Sequence, residues 1–186
     1  MEVKGTAVIA IRDYVKSEYS SEFQKWVETL PKDSKDILTG AIDSTKWYNV
    51  QAGAIDPTKK IGEFFCSGNL KKGAWDAGRF SAQKALTGIY KIFVKAASPS
   101  YIIQRASRVF STYYRPCEIN VVASGQKNVS VEMSKLTERH EVIENRIGGW
   151  MQKALELSGC ENVKVAISEV RKDSAGIVVE FAMSWD

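Results

Sequence analysis

The sequence is poor in the side chains that build reactive centres. It has one histidine, His140, and three cysteines, Cys66, Cys117 and Cys160, which lie far apart. It contains no C-x-x-C, H-E-x-x-H, P-loop, G-x-G-x-x-G or G-x-S-x-G motif. One imidazole and scattered thiols do not make a zinc site or a disulfide framework, and the missing motifs argue against several large enzyme classes. We therefore expect no metal, no cofactor, no enzymatic activity, and reduced thiols in the cytoplasm.

Long apolar runs and strong charge of one sign are also missing. The first apolar stretch ends at Arg12 and Asp13, too early for a signal-peptide core or a membrane span. The net charge is +4, from 26 basic and 22 acidic residues. The densest basic group, Arg105, Arg108 and Arg115, is as typical of a solvated helix face as of a phosphate contact. We expect no membrane span and no nucleic-acid partner.

The residues that are present are sufficient for one core. Hydrophobic residues make up 44% of the 186 residues, and aromatic residues make up 10%. This length fits one compact domain, and the sequence shows neither an internal repeat nor a low-complexity linker. We expect a single α+β domain over residues 1–186, with a helical part at 1–115 and a sheet part at 116–186.

Helical spacing dominates the first part. Apolar residues recur every three or four positions over residues 6–30, which predicts two helices, the second of which ends before Pro31. Residues 3–11 also fit the alternation of a strand. Asp56-Pro57 and Ser98-Pro99 each combine an N-cap side chain with a proline at the first helical position. These signals predict one helix over residues 57–66 and another from residue 98 to about 114.

A long helical region is predicted between those two helices, from Leu70 to Ala97. It carries apolar residues at helical spacing, and the Thr87-Gly88 pair favours a bend within it. Aromatic residues recur along this region and the helix after it, and their first role is to form the core.

The period of the pattern changes from 3.6 to 2 near residue 117. CEINVVAS (117–124) and NVSVEMS (128–134) predict one β-hairpin, and NVKVAISEV (162–170) and GIVVEFAMSW (176–185) predict a second. Between them an amphipathic helix is predicted over 138–158, ended by Gly159. This order predicts a four-stranded antiparallel sheet with helices on one face.

Few residues are candidates for acid–base chemistry. His140 stands among charged neighbours at a helix start, which favours an exposed imidazole over a ligand or general base. Glu118 with Glu132, and Glu141 with Glu144, are carboxylate pairs that we interpret as solvated surface charges. The pair Gly148-Gly149 lies inside a helical pattern, so it predicts close packing against another backbone rather than a phosphate loop.

Three segments carry a resemblance that spans nearly the whole chain. They are Lys4-Gly5 before the first helix, the stretch AGRFSAQKALTGIYKIFVKAASPSYIIQRASRVFSTYY, and GGWMQKALELSGCENVKVAISEV followed by VVEFAMSW. Together they resemble an uncharacterised bacterial family related to the heme-NO-binding (H-NOX), 4-vinyl-reductase and vesicle-transport-particle superfamily. The resemblance implies an H-NOX-like fold, with helices preceding the antiparallel sheet.

The resemblance also implies where a heme would be held. Heme-binding members place a proximal histidine on the helix that starts here at Ser98-Pro99, where this chain has Val109 or Phe110. Their Tyr-x-Ser-x-Arg motif for the heme propionates corresponds here to residues 132–136, of which only Ser134 matches. The cysteines do not reproduce the zinc cluster of 4-vinyl-reductase-like members. We therefore expect no heme and no metal.

Two hypotheses follow for the function. The first is a heme-free ligand-sensing or signalling domain that binds a small hydrophobic molecule between helices and sheet. Its lining is predicted to include Trp75, Phe80, Phe93, Val109, Phe110 and Tyr113. The second is a structural module with a filled core that supports homodimerisation or docking of a signalling partner. A cavity in the structure favours the first hypothesis, and an interdigitated core favours the second.

Overall fold

The chain forms a group of helices followed by an antiparallel sheet. The computed structural model describes the backbone of residues 1–87, 99–110 and 112–186, and their side chains except those at positions 99, 100, 105, 106, 109 and 110. The predicted bend at Thr87-Gly88 and the predicted helix end at Ala97 therefore lie outside the described residues. Each helix within these residues is too short or too polar to span a bilayer.

The first half is mainly helical, as predicted. Its elements are β1 (Glu2–Lys4), α1 (Gly5–Glu18), a 3-10 turn (Ser20–Glu22), α2 (Phe23–Glu28), α3 (Lys32–Thr39), β2 (Trp47–Asn49), a π-helical turn (Gln51–Ile55), α4 (Asp56–Phe65), α5 (Leu70–Thr87) and α6 (Pro99–Phe110). Pro31 does not close α2, which already ends at Glu28, but lies at the N-cap of α3, a helix that was not predicted. Proline suits that position because N–H groups at the start of a helix have no acceptor within the helix. The missing N–H of proline therefore costs no hydrogen bond.

The second half follows the predicted order of hairpin, helix and hairpin. Its elements are β3 (Tyr114–Arg115), β4 (Glu118–Ser124), β5 (Asn128–Leu136), α7 (Glu141–Leu157), β6 (Lys164–Asp173) and β7 (Gly176–Ser184). The strand order in the larger sheet is β4-β5-β7-β6, with every neighbouring pair antiparallel. The predicted α+β fold is confirmed.

One face of this sheet is apolar and the other is polar. The inner face is buried and carries Ile119, Val129, Val131, Met133, Val179, Phe181 and Met183. On the outer face Arg171 donates to Glu132 at 2.7 Å, next to Glu169. The alternation follows from the two-residue period of a strand, and it directs the apolar side toward the helices.

A second, smaller sheet was not predicted, because strands of two or three residues are too short to show a period. Its order is β2-β1-β3, and Val3 pairs with Tyr48 on one side and Tyr114 on the other. The N–H of Lys4 also donates to the carbonyl of Tyr113 at 2.8 Å. This sheet holds Tyr113 and Tyr114, at the start of β3, beside the start of α1.

Helix α7 lies at the centre of the molecule, and its residues 142–151 are all buried. It meets α5 backbone to backbone: a Cβ at Gly149 would overlap the carbonyl oxygen of Trp75, and a Cβ at Gly78 would overlap that of Arg146. The Trp75 ring lies against Gly148, where a Cβ would come within 2.6 Å of it. The close packing predicted for Gly148-Gly149 is confirmed.

Candidate ligand cavity

A cavity of about 160 Å³ lies between α1, α5 and α7, beside Tyr113 and Tyr114. We call it the inner cavity. Its described lining is mostly apolar and consists of Thr6, Ala7, Ile9, Ala10, Gly78, Ser81, Lys84, Ala85, Tyr113, Tyr114, Arg146, Ile147 and Trp150. An engineered apolar cavity of about 150 Å³ in another protein takes up benzene. The inner cavity therefore has room for a molecule of about one aromatic ring.

Short side chains on two helices leave this space open. Gly78, Ser81 and Ala85 follow one another at intervals of three and four along α5, so they lie on one face of that helix. Ala7 and Ala10 occupy one face of α1 in the same way. Longer side chains at these positions of α1 and α5 would fill the space.

One of the two charged side chains of this lining, Arg146, is buried. Arg146 is only 4% exposed. Its Nη1 donates to the Tyr114 hydroxyl at 2.9 Å, and its Nη2 makes a longer contact of 3.4 Å with the Ser81 hydroxyl. Its Nε is buried and has no hydrogen-bond partner. The guanidinium therefore makes only part of its possible hydrogen bonds, and its Nε–H has no acceptor.

Arg146 has no acidic partner. No carboxylate in the described part of the chain lies within 4 Å of its guanidinium nitrogens. The residues outside the described set include no aspartate or glutamate either, as the sequence at 88–98 and 111 shows. An arginine keeps its proton under all physiological conditions. The cavity wall thus carries an uncompensated positive charge.

Tyr114 presents a second polar group at the same place. Burial raises the pKa of its phenol above the ordinary value, and the nearby positive charge of Arg146 only partly opposes this rise. The phenol therefore stays neutral and retains its proton. Its oxygen accepts from Arg146, so its O–H is available as a donor.

Lys84 is a different kind of cation. It lines the inner cavity from α5, is half exposed, and forms an ion pair with Asp13 of α1. Its charge is thus already compensated and hydrated. Among the described lining residues, Arg146 alone combines charge with burial.

The six residues predicted to line a pocket are not brought together in the described part of the chain. Tyr113 lines the inner cavity. Trp75 instead packs on Gly148 and donates from Nε1 to Gln152 at 2.7 Å, while Phe80 meets the Tyr14 ring edge-to-face at 5.4 Å. Phe93 lies outside the described residues, and Val109 and Phe110 belong to α6 with side chains outside the description.

His140 was predicted to be exposed, and this prediction is wrong. Its side chain is 12% exposed at the N-cap of α7, and its Nε2 is buried without a hydrogen bond, 3.6 Å from a carboxylate oxygen of Glu138. Burial lowers the pKa of the imidazole, and Glu138 opposes this shift. His140 lines a separate cleft of about 350 Å³ that also includes Lys59 and Lys71.

The carboxylate pairs have mixed outcomes. Glu144 is fully buried and accepts hydrogen bonds from Arg139 at 3.2 and 3.3 Å, so it is not a solvated charge. Glu118 is half exposed and pairs with Lys135 at 2.5 Å. Glu132 pairs with Arg171 across the outer face of the sheet. Each of these charges has a partner, unlike Arg146.

The cysteines are buried and unpaired with one another. Burial raises the pKa of Cys117 to about 12 and also raises the pKa of Cys66 and Cys160. Thiols of this kind are poor nucleophiles and poor metal ligands. Within the described residues, no group of three or more His, Cys, Asp or Glu side chains could hold a metal ion.

Arg146, Tyr114 and Ser81 were not identified from the sequence as site residues. A signal for Arg146 is present in the run Glu144-Asn145-Arg146, which interrupts the apolar stretch of α7 between Ile143 and Ile147. In an amphipathic surface helix such residues face water. Here α7 is covered on all sides over residues 142–151, so the same residues are buried.

The whole fold is similar to solved H-NOX structures. The Cs H-NOX protein carrying 4-cyano-L-phenylalanine superposes with a TM-score of 0.72 at 10% identity, covering 98% of this chain and 96% of that one. A mutant of the T. tengcongensis H-NOX gives 0.69 at 11% identity, with 98% and 97% covered. An oxygen-binding H-NOX domain related to soluble guanylate cyclases, in its oxygen complex, gives 0.67 at 10% identity, with 98% and 95% covered.

No protein-family model matches the chain, and no curated protein matches it significantly. The similarity to H-NOX structures therefore rests on the fold, and the fold is the one that the resemblance implied.

The residues of the inner cavity do not fit a heme. Its described lining offers no imidazole, thiol or thioether, and His140 lies in the other cleft. The residues outside the description add none of these side chains, because 88–98 and 111 contain no His, Cys or Met. Tyrosine can ligate heme iron as phenolate, but burial raises the pKa of Tyr114 and disfavours that form. A cavity of about one aromatic ring is also much smaller than a porphyrin.

Proposed function

We propose that this chain is a heme-free, non-enzymatic sensing or signalling domain that binds a small hydrophobic molecule in the inner cavity. The observation that carries the proposal is the cavity itself: about 160 Å³, mostly apolar, and bounded by α1, α5 and α7. Burial of apolar ligand surface supplies roughly 25 cal/mol per Å². A molecule filling the space would contact three helices at once, so its binding would be coupled to their relative positions.

The H-NOX fold supports a role in sensing by analogy, since one structural neighbour is described as oxygen-binding and related to soluble guanylate cyclases. In this chain the ligand would differ, because the described lining offers no imidazole, thiol or thioether to iron. The six residues Trp75, Phe80, Phe93, Val109, Phe110 and Tyr113 remain a prediction for the pocket, to which we add Tyr114, Ser81 and Arg146.

Spectroscopy on the purified full chain tests the heme-free part. We expect no Soret absorption after expression with heme precursor, and no stoichiometric shift of the Soret band when hemin is titrated into the protein. A one-to-one complex with a sharp Soret band would contradict the proposal. Iron at one equivalent per chain by elemental analysis would contradict it equally.

A cavity-filling variant tests the ligand-binding part. Toluene should bind to the wild-type chain, detected by NMR shifts of cavity residues and by a rise in Tm. Ala10→Leu places three extra carbons in the space and should abolish these changes. Ala123→Leu, on an exposed part of β4, is the matched control and should bind toluene like the wild type.

The alternative, a structural module for dimerisation or partner docking, makes the opposite prediction. It requires that neither variant changes the response to toluene, because no small molecule enters the core. Native mass spectrometry of freshly purified protein would then show the bare chain mass or a dimer without added ligand.

A further inference from the structure

We propose that the molecule bound in the inner cavity carries a carboxylate, which is held by the Arg146 guanidinium and the Tyr114 hydroxyl. This inference rests on the proposed function, since it specifies the ligand class of the same cavity. The ligand is then a monocarboxylic acid with a small apolar body, in size close to benzoate, rather than a neutral hydrocarbon or a dissolved gas.

The first argument is the cost of the bare charge. A buried cation without a partner is strongly disfavoured, and proteins pair such groups or bind a counter-ion. Arg146 is 4% exposed and donates hydrogen bonds only to two neutral hydroxyl groups. Its environment therefore lacks one negative charge.

The second argument is that the two helices that meet at Arg146 have no spare carboxylate to supply that charge. Every acidic residue on the two helices that meet at Arg146 already pairs with another base: Asp76 with Lys72, Glu141 and Glu144 with Arg139, and Glu156 with Arg79. On α1, Asp13 pairs with Lys84. Since no carboxylate of the described residues lies within 4 Å of the Arg146 guanidinium either, we assign the neutralising carboxylate to a ligand.

The third argument concerns geometry. Arg146 uses only two of its five N–H groups, its Nε–H has no acceptor, and the O–H of Tyr114 beside it is also available as a donor. A carboxylate has two oxygens and matches the planar donor pattern of a guanidinium. A phosphate would bring more charge and more hydrated oxygens than these donors and an apolar lining can satisfy. A carboxylate on a small apolar body suits both the polar and the apolar part of the wall.

The test compares two probes of nearly the same shape, benzoate and benzamide, by isothermal titration calorimetry on the full chain. We expect benzoate to bind about tenfold or more tightly than benzamide, because charge-assisted hydrogen bonds are roughly twice as strong as neutral ones. In Arg146→Met this preference should vanish, whereas benzamide should bind about as well as to the wild type. Arg146→Lys keeps the charge without the fork and should retain part of the preference.

Lys72→Gln is the matched control for charge. It removes one positive charge from α5, the same helix that lines the cavity, but at an exposed position outside the lining that Asp76 compensates. We expect the benzoate preference to remain within about twofold of the wild-type value, since exposed charges are screened by water and salt. Circular dichroism on each variant verifies that it is folded. Tyr114→Phe removes only the hydroxyl donor, so it tests the second proposed contact to the carboxylate by itself.

The outcomes separate this inference from the proposed function. Equal affinity for both probes, abolished by Ala10→Leu, would overturn the carboxylate while leaving the apolar cavity as a ligand site. A preference for benzoate that survives Arg146→Met but disappears in Lys84→Gln would also overturn it, because the anion would then be held at the rim. If toluene, benzamide and benzoate all fail to bind at about 1 mM, both proposals are wrong.

Discussion

Two arginines lie at the contact between α5 and α7, and they differ in burial and in hydrogen-bond partners. Arg79 is about a third exposed, with 31% of its side-chain surface open, yet it donates to both carboxylate oxygens of Glu156 at 2.7 and 2.8 Å. Arg146 is almost completely buried and has no carboxylate at all. The better solvated cation has the ideal partner, while the desolvated one has only hydroxyl groups.

This arrangement is the reverse of what stability alone would favour. A partly exposed ion pair contributes little, whereas an unpaired buried charge costs much. Groups that cost stability in the empty protein are found where a ligand later compensates them. The difference between Arg79 and Arg146 therefore separates a charge that serves the fold from one that is available for binding.

The largest effect is expected from Gly149→Ala, which forces α5 and α7 apart and so disturbs the contact at which both arginines lie. Alanine is the better helix former by about 1 kcal/mol, so without a clash this change would stabilise α7. Because the added Cβ overlaps the Trp75 carbonyl oxygen, we expect a loss of about 2 kcal/mol or more in the free energy of unfolding instead. Urea denaturation measures it.

Lys153→Ala on the same helix is the control for that experiment. It removes one surface ion pair with Glu156 and leaves the helix contact intact, so we expect a change of less than about 0.5 kcal/mol. A gain in stability from Gly149→Ala would show that α5 and α7 do not meet backbone to backbone. The two arginines would then not lie at one close helix contact.

Removing the unpaired charge sharpens the comparison most directly. In the double variant Arg146→Met with Tyr114→Phe, both buried hydrogen-bond partners become apolar at nearly constant shape. We expect the ligand-free protein to gain about 1 to 2 kcal/mol in stability, because the desolvated charge is gone and no polar partner is orphaned. Thermal and urea unfolding without added carboxylate measure the effect. A clear loss of stability would mean that Arg146 serves the fold as Arg79 does.

Much of the fold could be predicted from the sequence because the elements that form it are long enough to show their period. Strands β4 to β7 and helix α7 have seven to seventeen residues each, and their predicted bounds differ from the observed ones by only a few residues. The three-stranded sheet of β1, β2 and β3 escaped prediction because its strands have two or three residues. Their pairing depends on contacts between distant segments, which local patterns do not encode.

The site was harder to predict than the fold. Spacing selected large aromatic residues, yet Trp75 fills the space beside Gly148, and the described part of the inner cavity is lined largely by residues too small to fill it. Arg146 and Glu144 were hidden because charge in a helical pattern predicts a solvated face. Only the tertiary structure shows that α7 has no solvated face over residues 142–151.

Replacing Arg79, the partly exposed arginine, should change the free energy of unfolding in the opposite direction. We expect Arg79→Met to lower the free energy of unfolding by about 0.5 to 1 kcal/mol, because Glu156 and Gln152 lose a bidentate donor that is only partly replaced by water. The pair is partly exposed, so the loss should shrink further at high salt. Urea unfolding at low and high salt measures both effects. A gain in stability here would remove the distinction between the two arginines.

The smallest effect concerns His140, a mostly buried base at the N-cap of α7, because a histidine can become neutral and an arginine cannot. Burial lowers the pKa of the folded imidazole below the ordinary value of about 6.5. Above that value both the folded and the unfolded chain hold a neutral His140, so the full stability is present. As the pH falls, the unfolded chain takes up the proton first and stability is lost.

His140→Asn should therefore flatten the fall in unfolding free energy between about pH 7.5 and pH 5.5, relative to the wild type. The nearby Glu138 and Glu144 oppose the shift and Lys59 reinforces it, so the difference should be smaller than any change described above. Identical slopes in the two proteins would mean that the imidazole stays hydrated. A flatter slope in His140→Asn would sharpen the comparison, because a buried histidine can become neutral whereas a buried arginine keeps its charge.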